Sequence, residues 1–263
     1  TLPNSPELSQ TLPNSPELSR THQKTRELNG SQHECRELWA TDGTVQGTGL
    51  VKNINEGAGM SSSPKDIVAL GNGKAVFNAS GDLGSGSELW ITDGTAEGTV
   101  MLKEMVAGTG NGNPVDMTAL GNGKVVFSAN AAGKGRELWV TDGTEAGTQL
   151  LVDLVPGGTG SRPDQITYID HGVVVFRALD VTGVGRDLWS TDGTIAGTQL
   201  IGDWNSDFDI KGSVLGGDAW ITNHLGQDYL SDGTTAGFVE LDGSETLVLV
   251  GNSTNAHLFS DVI

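Results

Sequence analysis

The triplet Asp-Gly-Thr occurs five times in this chain, at 42–44, 93–95, 142–144, 192–194 and 232–234, with intervals of 51, 49, 50 and 40 residues. A period of this size confines the chain to architectures that repeat one supersecondary unit many times. The triplet sits inside a longer signature. Ahead of it stand Glu37-Leu38-Trp39, Glu88-Leu89-Trp90, Glu137-Leu138-Trp139 and Asp187-Leu188-Trp189, with a worn copy at Asp228-Tyr229-Leu230. Behind it, Gly-Thr returns at 47–48, 98–99, 147–148 and 197–198.

One period reads as four short strands. In the third copy Asp116–Leu120 alternates, and Gly121-Asn122-Gly123-Lys124 makes a tight turn. Val125–Ala129 is a second strand, and a Gly-rich loop leads to Glu137–Thr141. Asp142-Gly143 is a hairpin signal, because both residues tolerate positive φ. Thr148–Asp153 supplies the fourth strand. Four antiparallel strands per 40–50 residues is the sequence form of a propeller blade. The 39 glycines agree with this, since they suit many turns and would destabilise helices.

The ends fix the expected blade count. The first Glu-Leu-Trp has only a third and a fourth strand downstream. At the other end, 246–250 and 256–260 read as first and second strands with nothing after them. The two half-blades complement each other. The expectation is an all-β, five-bladed propeller of ~50-residue four-stranded blades, closed by a composite blade from the N- and C-terminal segments. The rivals are an open array or a six-blade ring. Residues 1–36 carry four prolines and repeat Thr1 to Ser9 as Thr11 to Ser19. They read as a polar Pro/Ser-rich tail or linker without strand character, leaving 37–263 as the propeller domain.

The net charge is −18, and residues 1–36 hold four acidic and four basic side chains, so the excess belongs to the body. An acidic body repels phosphates, which argues against nucleic acid and anionic lipid as partners. No stretch approaches the length of a membrane span. The N-terminal residues show no charged n-region or apolar h-region, so the expectation is that any secretion signal has been removed or was never present. Cys35 is the single cysteine and excludes an intrachain disulfide.

The string Glu88-Leu89-Trp90-Ile91-Thr92-Asp93-Gly94-Thr95, followed by Gly98-Thr99, resembles the ELWxxDGT repeat family of bacterial secreted and cell-surface proteins, as do the copies at 37, 137 and 187. The resemblance covers residues 37–240. It implies an extracellular or cell-surface repeat protein, and imports no catalytic residue. The turn also resembles the Asp-box of sialidase-type propellers, which is structural there.

Each candidate residue has a structural and a functional reading. Asp42, Asp93, Asp142, Asp192 and Asp232 are expected to close Asx-type turns. Calcium ligation is the alternative, although calcium takes several carboxylates and each turn offers one. The repeated tryptophans are expected to pack between blades with their indole N–H groups satisfied locally. Sugar stacking is their alternative role. Trp204 and Trp220 fall outside the repeat and are candidates for binding in the irregular blade. Asp66 and Asp116 open first strands at one repeat position, with Gln165 equivalent and Glu245 near it in the composite blade. First strands line a propeller's channel, so these four are candidate binding residues at its mouth.

No His spacing fits a metal site, and no catalytic residue is assigned. The expected function is a secreted or cell-surface binding module, lectin-like and without catalysis, with a glycan or surface protein as partner. The alternatives are a structural protein that self-associates through residues 1–36, or a five-bladed glycosidase. No cofactor is assigned, with Ca2+ as the one candidate ion.

Overall fold

The computed structural model describes residues 23–241 apart from 29–30, 57–59, 82–85, 170, 207, 214–218, 224–227 and 236. Every regular element among the described residues is a strand. They run β1 (Gln23–Leu28), β2 (Ser31–Arg36), β3 (Leu38–Ala40), β4 (Gly49–Lys52), β5 (Lys65–Ala69), β6 (Ala75–Ser80), β7 (Ser87–Thr92), β8 (Val100–Lys103), β9 (Val115–Ala119) and β10 (Val125–Ala131). The remainder are β11 (Gly135–Thr141), β12 (Gln149–Val152), β13 (Asp164–Tyr168), β14 (Val174–Ala178), β15 (Arg186–Thr191), β16 (Gln199–Ser206), β17 (Phe208–Ser213), β18 (Ala219–Asn223), β19 (Asp228–Ser231) and β20 (Phe238–Leu241).

Among the described residues, four sheets are complete four-stranded antiparallel meanders: β5–β8, β9–β12, β13–β16 and β17–β20. The first signature copy forms the two-stranded sheet β3–β4, the third and fourth strands of a period. Sheet order follows chain order throughout, because each turn joins neighbours in space.

The core lies between sheets. Period-two alternation sends Val76, Leu89 and Ile91 to one face of their sheet, where they meet Val125, Phe127, Ala129 and Trp139 of the next. Val126, Leu138 and Val140 point the other way and meet Val174 and Phe176. Phe77 and Trp90 face back toward Leu38 and Ile54. Second and third strands are covered on both faces and read as nearly continuous apolar runs, such as Val125-Val126-Phe127. First and fourth strands are only partly buried. The first strands β5, β9, β13 and β17 lie successively against one another. Sheets stacked face to face, with first strands neighbouring, make a propeller-like arrangement.

Residues 1–36 were expected to lack strands, and here the structure differs. β1 and β2 form an antiparallel hairpin with Gln23 opposite Arg36 and Leu28 opposite Ser31. Apart from Leu28 and Cys35 its residues are polar, so no hydrophobic alternation announces it. The closing strands expected at 246–250 and 256–260, and the duplicated segment at 1–19, lie outside the described residues.

Candidate functional site

The Asp-Gly-Thr turn is a closed set of local bonds. Asp142 Oδ1 accepts the Thr144 backbone N–H at 2.8 Å and the Thr144 hydroxyl at 2.7 Å. Thr144 Oγ1 in turn accepts the Gly147 N–H at 2.9 Å, and Thr148 donates to Thr144 O at 2.7 Å. Thr141 Oγ1 accepts the Gly143 N–H and meets the Thr148 hydroxyl. The same pattern holds at Asp42, Asp93 and Asp192, and in part at Asp232, where Ser231 stands for the threonine. Two glycines are required. Gly143 sits at φ 84°, and a Cβ on Gly147 would overlap the Asp142 carboxylate. These threonine bonds hold Asp42, Asp93 and Asp142 below the usual carboxylate range. The carboxylates are thus occupied as Asx-type turn closers.

The Glu of Glu-Leu-Trp has a role that sequence reasoning missed. Glu37, Glu88, Glu137 and Asp187 are 4%, 1%, 0% and 1% exposed. Each accepts the backbone N–H 17 residues ahead: Ile54, Met105, Leu154 and Trp204 respectively. The three glutamates also take a second N–H 24 or 25 residues ahead, from Ser62, Gly112 and Ser161. The hydroxyls of Ser62 and Ser161 donate to the same carboxylates. These carboxylates therefore hold the segment that crosses from one sheet to the next. Burial pushes Glu88 and Glu137 above the ordinary value in spite of the N–H donors. The available signal was the recurrence of an acid two residues before each of Trp39, Trp90, Trp139 and Trp189.

The tryptophans pack as expected, but their N–H groups do not behave as expected. Phe77 faces Trp90 across the strands with centroids 6.5 Å apart, and Phe127 faces Trp139 at 6.4 Å. The buried indole Nε1 atoms of Trp90, Trp139 and Trp189 make no hydrogen bond among the described residues. Packing area fixes these rings without local N–H satisfaction. Trp204 lies edge-on to Phe208 at 4.7 Å and against Tyr229 at 5.3 Å, in the core between β13–β16 and β17–β20. The Trp220 backbone lies in β18 and its side chain is outside the described residues.

The channel-mouth candidates share an unusual backbone. Asp66, Asp116 and Gln165 adopt φ of 55°, 53° and 51°, each the second residue of its first strand. The pairing register slips beside each of them, between Lys65 and Val68, near Ser128, and between Asp164 and Thr167. Three left-handed non-glycine residues at one repeat position show that surrounding bonds fix the conformation. The fourth first strand, β17, carries Asp209 as its second residue, without the positive φ, and the sequence reading passed over it. Glu245 is outside the described residues.

Mixed charge surrounds this row. Asp116 is raised by burial first, then by like charge from Asp164 and Asp66, with Arg136 opposing. Arg177 makes a fork to Asp164, Nε at 2.8 Å and Nη2 at 3.2 Å, and its Nη1 reaches Phe208 O and Asp209. Gln165 spans to the next sheet, accepting the Ile210 N–H at 2.7 Å and donating to Asp209 at 3.0 Å. The hydrogen bond from Gln165, and then that from Lys211, hold Asp209 low. Among the described residues, no group of three or more His, Cys, Asp or Glu could hold a metal ion.

No protein-family model matches the sequence, and no curated protein matches it. Among solved structures, the chain is similar to puromycin hydrolase (17% identity, TM-score 0.47), over 80% of this chain and 36% of that one. It therefore spans about a third of that protein's length. It is also similar to a chain of a nidogen/laminin complex (13%, 0.43, covering 80% and 73%) and to an endo-arabinase from Bacteroides thetaiotaomicron (12%, 0.31, covering 78% and 84%). At these TM-scores the likenesses assign no ligand or activity.

Proposed function

We propose that this chain is a secreted or cell-surface binding module, a five-bladed propeller closed by a composite blade, which recognises glycans without catalysis. One observation carries the reading. The acids and aromatics of the repeat are taken up in turns, crossings and packing. The polar row Asp66, Asp116, Gln165 and Asp209 comes instead from successive first strands that lie against one another. Carboxylate, amide and guanidinium groups in fixed positions provide both acceptors and donors for sugar hydroxyls. The acidic charge and the ELWxxDGT resemblance support the extracellular location.

The test is a glycan array with the intact chain and with Gln165→Ala. Retained glycans that are lost in the variant support the reading, and an array without hits overturns it. Hydrolysis of a retained polysaccharide would overturn the non-catalytic part. Closure is tested by removing residues 246–263. A lower Tm is expected, and unchanged unfolding would leave the half-blade β3–β4 without need of a C-terminal complement.

Self-association through residues 1–36 is a second reading. It is favoured by β1–β2, a two-stranded sheet that pairs with no other described strand. Light scattering that is independent of concentration, and unchanged on deleting 1–36, would sink it.

A further inference from the structure

We propose that the first-to-second-strand turns are sites of spontaneous covalent modification, Asn72-Gly73 first and Asn122-Gly123 more slowly, while the fold shields every other described Asn-Gly and Asp-Gly pair. The chemistry needs only water. The Gly nitrogen attacks Asn Cγ, a C–N bond forms, and the Cγ–Nδ2 bond breaks. The amide proton leaves with the side-chain nitrogen as ammonia. Water then opens the succinimide ring to Asp or to isoaspartate. The step requires a solvent-reachable side chain and a Gly N–H that no acceptor holds, because a hydrogen bond opposes loss of that proton and fixes the nitrogen.

Among the described residues, three Asn-Gly and five Asp-Gly pairs carry the motif. In all five Asp-Gly pairs the Gly N–H is held by the hydroxyl of the residue before the Asp, from Thr41 Oγ1 to Ser231 Oγ. The Asp Oδ1 is also engaged by the Thr two residues on. Bonds that favour the ionised carboxylate oppose loss of water from it, which needs the protonated acid.

Asn111-Gly112 is shielded from both sides. Asn111 Oδ1 accepts the Ser87 N–H at 2.9 Å, and the Gly112 N–H donates to buried Glu88 at 2.9 Å.

The two turn sites differ. Asn72 and Gly73 are exposed, and Asn122 is exposed beside a half-buried Gly123. No hydrogen bond from the Gly73 or Gly123 N–H forms among the described residues. Each Asn Oδ1 accepts the N–H of Lys74 or Lys124 within its own turn at 3.2 Å, a longer bond than the 2.9 Å one that ties Asn111 to Ser87 on another strand. Both glycines have open space where a Cβ would stand, and the order is set by burial, since Gly73 is exposed and Gly123 half-buried. Each event adds negative charge next to Lys74 or Lys124, and isoaspartate lengthens a three-residue loop closed by the Leu70 or Leu120 N–H.

The experiment incubates the intact chain at mildly alkaline pH, digests it at acid pH and identifies deamidated peptides by mass. Isoaspartyl and aspartyl peptides, which have equal mass, are separated by chromatography and electron-transfer fragmentation. Conversion at Asn72 is expected first, then Asn122, with Asn111 and the Asp-Gly pairs slower by about tenfold, the factor one lost hydrogen bond is worth. In urea, Asn111 should join the fast set. Thr92→Val should release isoaspartate at Asp93 in the folded chain. Equal rates at Asn72 and Asn111 in the folded protein would overturn the proposal, as would a Thr92→Val variant that ages like the parent.

Discussion

The Glu137 carboxylate accepts the Ser161 N–H at 2.8 Å across 24 residues of chain, tying the middle of one sheet to the start of the next. The same carboxylate takes the Leu154 N–H, so it spans both ends of the crossing segment. A buried charge is tolerated there because it satisfies backbone donors that would otherwise be lost from solvent. Glu137→Ala leaves those donors unpaired and should cost about 2–4 kcal/mol in urea unfolding. Glu137→Gln keeps one acceptor oxygen but turns –NH2 toward the other donor, and should cost less. Equal losses would contradict the assignment.

The pH dependence follows from two opposed sets of carboxyls. Glu88 and Glu137 are raised above 4.5 by burial, with Glu104 and Asp153 adding like charge, and Asp116 is raised above 3.8 by burial too. The folded chain then holds more protons than the unfolded chain between the ordinary and the raised values. Their contribution is fully present below the ordinary value and is lost as pH rises through the raised one. Asp42, Asp93 and Asp142 lie below 3.8, so their contribution is present above that value and lost as pH falls through the folded one. Urea midpoints should climb from neutral pH toward the window above 4.5 and fall again below 3.8. A variant carrying Glu88→Gln and Glu137→Gln should flatten only the first limb. A parent chain whose stability rises steadily from the acid window to neutral pH would refute this.

What the sequence revealed divides by range. The turn was legible because every bond in it lies within seven residues, from Thr141 to Thr148. The role of Glu137 was not, because its partners lie 17 and 24 residues away in a segment with no fixed motif. Asp209 escaped because Lys211-Gly212-Ser213 follows Ile210 where the periods of Asp66 and Asp116 have Ala-Leu-Gly-Asn-Gly. The β1–β2 hairpin escaped because each of its strands has a single apolar residue, Leu28 or Cys35, and so shows no alternation. Asn29-Gly30 between them was the signal that a search for alternation ignores.

Arg177 occupies the position where the two preceding second strands carry Asn78 and Ser128. It forks to Asp164, contacts Asp209 at 3.3 Å and lies 5.8 Å from the centroid of the Phe208 ring. Arg177→Ala should speed amide exchange in β17, read by mass spectrometry, and leave β9 unchanged. Arg177→Lys cannot reproduce the planar fork and should rescue little. Unchanged exchange in β17 would mean that apolar packing alone holds that sheet.

The turn offers the sharpest test, because two of its features exclude each other in space. A Cβ on Gly147 would fall on the Asp142 carboxylate, so Gly147→Ala displaces the side chain that closes the turn. The cost should combine the lost bonds to Thr144 with steric strain, about 2–3 kcal/mol. Asp142→Ala removes the bonds without a clash and should cost about 1–2 kcal/mol. The double variant has room for the new methyl, since the atoms it would strike are gone. Its loss should therefore sit near that of Asp142→Ala alone, with a coupling of about 2–3 kcal/mol. Additive losses would place the strain of Gly147→Ala in the backbone and not against Asp142.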